Sequence, residues 1–378
     1  MLKDINITYC SKCILPSTRP NIRFDRNGNN CNCATSEKKA GICWASREQQ
    51  WHWVVSDVKA KQAVYDCVIP VSGGKDSTWQ VLKALESGLK PLCVTWRTPV
   101  RTDLGEANLR NLISLGVNHF DVTIDPKVEK RFTLKAFEKL GSPVIPMHMA
   151  LHAIPLQIAV NFRIPLILWG ENSAYEYGGD DESLKGVHLT HSWLKKYGVT
   201  NGTTAEDWVA PDRTRQDLAP YFWPSDQAQS EAGVTAVFLG HYFRWDPHET
   251  FEISSAHGFK AASQPKTGYY NFADIDDGFL ITIHHWMKWY KFGFTRLWDN
   301  LSLEIRAGRI TRKQAIDLLR EIGEEVPRQE IEGFCDYVGI SESRFFEIAE
   351  SFRNKTIWVD SGNGKWRIEG FLIEDWSW

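Results

Sequence analysis

The sequence predicts an α/β fold: an open, mostly parallel sheet with helices on both faces, set between an N-terminal cysteine-bearing segment and a C-terminal helical region. Three observations predict it. Short apolar runs alternate with amphipathic stretches from residue 66 to residue 240, the pattern of successive strand–helix units. Cys10, Cys13, Cys31, Cys33 and Cys43 crowd the first 43 residues. After residue 280 the apolar spacing is helical throughout.

The elements follow in order. Residues 1–50 are turn-rich, and 25–30 (Asp-Arg-Asn-Gly-Asn-Asn) reads as a tight turn between two cysteine pairs. A helix over 46–61 leads to the next domain. Residues 66–71 form a short buried strand that runs into a Gly pair. Residues 76–88 form a helix, with Trp79, Leu82 and Leu85 on one side and Gly88 as its stop. Strands at 91–96, 119–124, 165–169 and 234–239 alternate with helices at 104–115, 128–140 and 150–162. The stretch 171–229 has no strong period and is too long for a simple connection, so it reads as a partly ordered, functional insertion. In the C-terminal region Thr311-Arg-Lys-Gln314 fits a capping box, and Ser341 caps a helix over 342–352. Three regions result: 1–62, 63–260 and 261–378.

Composition narrows the function. With 43% hydrophobic and 24% charged residues in 378, the chain has the balance of a folded protein. No apolar run approaches the roughly 20 residues of a membrane-spanning helix. The first ten residues lack the apolar stretch of a secretory signal, so a cytoplasmic protein with no membrane contact is expected. The net charge of −3 gives no electrostatic footprint for general nucleic-acid binding. The 17 Trp against 4 Met make the apolar supply rigid and aromatic.

Ser72-Gly73-Gly74-Lys75-Asp76-Ser77 lies directly between a strand and a helix. Two glycines let the backbone approach an anion, and the helix N-terminus offers free N–H groups and a positive dipole end. Ser72 and Ser77 add hydroxyls, Lys75 a point charge, and Asp76 can hold Mg²⁺ against phosphates. A plain Gly turn would not need six such positions in a row. Cys10-x-x-Cys13 is a good chelating pair and Cys31-x-Cys33 a less usual second one. Four thiolates around zinc would staple a segment too small to have its own core. Spacing alone leaves zinc, an iron–sulfur cluster and free thiols open, with Cys43 as a spare. Cys67, Cys93 and Cys335 read as core residues. Gly170-Glu171-Asn172, with Glu176 beyond, starts at the C-terminal end of a strand, where open α/β sheets bind ligands. These carboxylates and the amide suit a polar substrate or ammonia.

The loop at 72–77 resembles the PP-loop of the ATP pyrophosphatase superfamily, whose members cleave ATP to AMP and pyrophosphate and adenylate a carbonyl or similar oxygen. The resemblance implies a Rossmann-like sheet, with ATP between the loop and Gly170, and adenine near the end of the second strand, at Thr95. A narrower resemblance follows from Tyr9-Cys-x-x-Cys13, Pro16-Ser-Thr-Arg-Pro20, Trp169-Gly-Glu-Asn172, Glu176-Tyr-Gly-Gly179, Phe238-Leu-Gly240, Arg244-Trp-Asp-Pro247, Lys291-Phe-Gly-Phe294 with Arg296, and Glu304-Ile-Arg306 with Gly308-Arg-Ile-Thr311. In order along nearly the whole chain, these are similar to the N-acetyl sugar amidotransferases of surface-polysaccharide and O-antigen biosynthesis.

That resemblance implies a reaction in which an acetamido group on a nucleotide-linked sugar, of the UDP class, becomes an acetamidine through an adenylated imidate attacked by ammonia. It implies ATP, Mg²⁺ and a structural Zn²⁺ on Cys10, Cys13, Cys31 and Cys33. Lys75, Asp76, Glu171 and Asn172 would serve catalysis, and Glu176, Lys291 and Arg296 the sugar nucleotide. Ammonia would come from separate glutaminase and barrel-type subunits, like those of imidazole glycerol phosphate synthase. The chain departs from the family at Cys31-Asn-Cys33, where C-x-x-C is usual, so Cys43 can stand in for one of that pair. It departs again at His284-His285, where a His followed by an acidic residue is expected. A PP-loop tRNA-modifying enzyme is the alternative; the net charge and the lack of Lys/Arg runs weigh against it.

Overall fold

Asn30 opens the first helix by accepting hydrogen bonds from the Asn32 and Cys33 amides, which starts α1 (Cys31–Lys39). The computed structural model describes residues 7–323, 325–374 and 376, so residues 1–6 of the N-terminal stretch considered above lie outside it. The turn at 25–30 is present, closed by the Asp25 N–H on the Asn29 carbonyl. The sequence pattern does not reveal α1, because its residues carry no apolar stripe. α2 (Trp44–Ala60) follows and buries Trp51, Val55 and Val58.

The alternating region then lays down β1 (Cys67–Pro70), α3 (Lys75–Glu86), β2 (Pro91–Trp96), α4 (Asp103–Ile113), β3 (Asn118–Val122), α5 (Pro126–Leu140), α6 (Ile145–Phe162) and β4 (Leu166–Trp169). α7 (His191–Tyr197) and α8 (Asp226–Ala232) order parts of the expected insertion, and β5 (Thr235–Phe238) and α9 (Pro247–Ala256) complete the region. The five strands pair in parallel in the order β3-β2-β1-β4-β5. Strand residues alternate between the two faces. Val68, Leu92, Val94 and Ile167 pack with Phe132 and Ala136 of α5 and Ile154 and Ala159 of α6. Cys67, Ile69, Cys93 and Leu168 pack on the other face with Trp51, Trp79 and Leu109. The parallel α/β sheet with helices on both faces is thus as expected, and Cys67 and Cys93 are core residues. The strand order reverses between β1 and β4, which opens a crevice at their C-terminal ends.

α10 (Leu280–Phe292), α11 (Arg296–Arg306), α12 (Arg312–Ile322), α13 (Arg328–Val338) and α14 (Glu342–Ser351) form the C-terminal region. Thr311 and Gln314 make the expected capping box, and Ser341 accepts from the Arg344 amide. The region is not purely helical, however. β6 (Trp358–Asp360) and β7 (Trp366–Ile368) form an antiparallel hairpin. Trp358 and Ile368 bury against Trp289 of α10, and strands of three residues are too short to show a period. Among the described residues no helix is long and apolar enough to cross a membrane.

Candidate active site

The loop after β1 is built around Gly73. Its φ is +88°, and a Cβ there would stand 2.6 Å from the Leu109 amide nitrogen, so only glycine fits. Gly74 starts α3 without a side-chain cap, which leaves first-turn N–H groups available to an anion. Thr95 holds the base of the loop, its hydroxyl donating to the Val71 carbonyl at 2.6 Å. Ser77 Oγ donates to the Gly74 carbonyl at 2.9 Å. The Lys75 side chain is turned away from solvent: Nζ lies 2.7 and 2.8 Å from the two Asp76 carboxylate oxygens and over the Trp245 and Phe272 rings. Asp76 also accepts from Trp245 Nε1 at 3.0 Å.

Ser72, Asp76 and Ser77 open onto a cavity of about 830 Å³, shared with Gly170, Glu171, Lys291 and Arg296. The structure therefore brings together seven of the residues singled out in the sequence. Burial, then the neighbouring Asp76 charge, pushes the Glu171 carboxyl up to about 7. In the same cavity, Lys291 Nζ donates to the Gly141 carbonyl at 3.0 Å, and burial pushes it down to about 8. Arg296 stacks over the Tyr177 ring at 4.7 Å and donates to its hydroxyl at 3.3 Å. Sequence reasoning missed Tyr177, Arg19 and Lys288, which line the same cavity. Asp299 bridges the latter two, at 2.8 Å from Arg19 and 3.1 Å from Lys288. Lys288 sits one turn before Lys291 on α10, and that spacing was a usable signal. Arg19 and Tyr177 sit inside two of the motifs that carry the family resemblance, but nothing in their residue type assigned them to the cavity.

Gly73, Gly74, Lys75, Thr95, Asn172 and Glu176 do not line the cavity. Asn172 is fully occupied in fixing the segment after β4. Its amide nitrogen donates to the Leu184 and Gly186 carbonyls, and its oxygen accepts from Ala174 N–H and Trp193 Nε1. Glu176 pairs with Lys39 at 2.6 Å. It lies on a π-helical turn over Ala174–Gly178, a rare backbone form that is frequent at functional sites. His285 bonds the Thr267 hydroxyl at 2.7 Å, and burial holds it neutral.

The sulfurs of Cys10, Cys13 and Cys33 lie within 4.8 Å of one another, all buried. Asn30 supports them, donating from its backbone to Cys10 Sγ at 3.3 Å and from its side chain to Cys13 Sγ at 3.1 Å. Hydrogen bonds from Cys13 and Cys33 hold the Cys10 thiol well below its ordinary range. Cys31, expected as the fourth ligand, is not in the group. It sits two residues from Cys33 on a helix, so the two side chains point about 160° apart, onto nearly opposite faces. Cys43 is exposed at the start of α2 and is not in the group either. Three buried sulfurs suit a thiophilic ion such as zinc, whose charge the thiolates would balance.

Residues 266–370, which include α10 to β7, match the model of a family described as LPS biosynthesis protein WbpG-like, C-terminal domain. No curated protein matches the chain. Among solved structures, one described as a predicted subunit of tRNA methyltransferase from Methanocaldococcus jannaschii is 17% identical. The match covers 50% of this chain and 75% of that one, with a TM-score of 0.29. NMN synthetase from Francisella tularensis is 12% identical over 82% of this chain and 96% of that one, with a TM-score of 0.30. The fold assignment rests on the sheet order and register, not on these two similarities.

Proposed function

We propose that the protein is an ATP-dependent, AMP-forming amidotransferase that converts an acetamido group of a nucleotide-linked sugar to an acetamidine, in lipopolysaccharide O-antigen or related glycan biosynthesis. One observation carries the reading. Ser72, Asp76 and Ser77 of the loop, the Glu171 carboxyl and a wall of buried cations line a single cavity. The wall comes from α10 and α11, inside the region that matches the LPS biosynthesis family.

In this reading the acetamido oxygen attacks the α-phosphorus of ATP; the new O–P bond replaces the bond to pyrophosphate. The first-turn amides of α3, with Ser72 and Ser77, stabilise the departing pyrophosphate. Asp76 would hold Mg²⁺, which neutralises phosphate charge, and Lys75 acts through Asp76 by fixing its orientation. Ammonia then adds to the imidate carbon, and AMP leaves with the former carbonyl oxygen. Glu171 takes a proton from the incoming ammonia, a task suited to a carboxyl near 7. Asn172 and Glu176 hold the segment that presents Glu171 and Tyr177. Lys291 and Arg296, with Lys288, bind the diphosphate of the sugar nucleotide. Zinc would be held by Cys10, Cys13 and Cys33 away from the reacting atoms, and separate glutaminase and barrel-type subunits would supply ammonia.

The test is incubation with ATP, Mg²⁺, ammonium and a panel of UDP-diacetamido-uronic acids. The reading expects a sugar product lighter by the difference between O and NH, with one AMP per product. Unchanged sugars alongside modification of tRNA would reject it in favour of an RNA-modifying enzyme.

A further inference from the structure

α1 carries Cys33 of the cysteine cluster, and both of its ends make hydrogen bonds to the segment around Glu176 and Tyr177. In its first turn Asn32 is the neighbour of Cys33, is fully buried, and donates from Nδ2 to the Tyr177 carbonyl at 2.8 Å. That carbonyl stands at the end of the π-helical turn, where helical partners run out. The contact is tight: Gly178 has φ +117°, and a Cβ there would lie 2.0 Å from Asn32 Oδ1. Tyr177 in turn supports the Arg296 guanidinium by stacking and by its hydroxyl. In the last turn Lys39 donates to Glu176 at 2.6 Å and to the Trp245 carbonyl at 3.1 Å. Trp245 is the residue whose indole N–H holds Asp76.

We propose that Asn32 is a positioning residue that carries the state of the cysteine cluster to the cavity. An ion held through Cys33 fixes the first turn of α1, Asn32 then fixes Tyr177, and Tyr177 fixes Arg296. The cluster is thereby a control on anion binding as well as a staple. The inference rests on the cluster holding an ion and on the cavity binding an anion, and not on the acceptor sugar or on amidation.

The experiment compares the full chain with Asn32→Ala and Asn32→Asp. The second variant keeps the side chain's shape but sets an acceptor oxygen against the Tyr177 carbonyl. Cys43→Ser, at an exposed cysteine outside the cluster, is the control. Bound ion content, hydrogen exchange across residues 174–182, and calorimetric affinity for uridine diphosphate, the probe of the Arg296 side of the cavity, are measured before and after treatment with a chelator. Both Asn32 variants are expected to keep their ion and the protection of α1, to exchange faster at 174–182, and to bind uridine diphosphate about three- to tenfold more weakly. Chelation should produce the same change in the unsubstituted protein and in Cys43→Ser, and add nothing in the Asn32 variants. Wild-type exchange and affinity in both variants would overturn the proposal. So would further loosening of Asn32→Asp on chelation, or loss of the ion from both variants with uridine diphosphate binding intact. A failed amidation assay with this coupling present would remove the reaction and leave the coupling standing.

Discussion

Glu171 shows how burying a single carboxyl costs stability. Its ordinary value is 4.5 and its folded value is about 7, with burial as the main cause and the Asp76 charge next. The folded state therefore holds a proton that the unfolded chain releases, so stability falls as pH rises from 4.5 to about 7 and the full penalty persists above it. Below 4.5 both states are protonated and the penalty is absent. Glu171→Gln should thus match the wild type in acid and be the more stable protein above neutrality, as denaturant titrations at two pH values would show. The same substitution should cut turnover about a hundredfold or more. It should also abolish the rise in rate expected of the wild type as Glu171 ionises. A variant that keeps this rising limb would assign the base to another group.

At the scale of elements, what the sequence revealed and what it hid have physical causes. Strands buried on both faces read as continuous apolar runs, so β1, β2, β4 and β5 were legible from composition alone. The loop at 72–77 was legible because glycine, serine, lysine and aspartate in that order have few other uses between a strand and a helix. α1 was not, since its stability comes from the Asn30 cap and from contacts with the distant turn at 174–178. Missing that helix is also what placed Cys31 in the ligand set. Cys10, Cys13 and Cys33 share a buried cluster with Phe294, Leu297, Trp298 and Leu301 of the C-terminal region. Arg312 ties the same segment to α12, donating to the Cys13 carbonyl at 2.8 Å. If the three sulfurs hold an ion, as proposed, a chelator should loosen this junction and lower the thermal midpoint by roughly 5 °C or more. An unchanged midpoint, with no metal found in the untreated protein, would mean that the three sulfurs hold no ion.

Across the whole molecule the net charge of −3 hides a cavity rich in both signs. Arg19, Lys196, Lys288, Lys291 and Arg296 line it together with Asp76, Glu171, Asp274, Asp276, Asp277 and Asp299. A cavity with both signs suits an anionic acceptor held close to a metal–nucleotide and an incoming amine. An external nucleic-acid surface would instead require the cations outside. The central claim is that the acceptor's own amide oxygen is the atom that ATP activates. Its most direct test is a sugar nucleotide carrying heavy oxygen in the acetamido carbonyl, followed by mass analysis of the phosphate products. The account predicts that the label appears in AMP and in no other product. Label released to water or found in pyrophosphate, with AMP unlabelled, would contradict it.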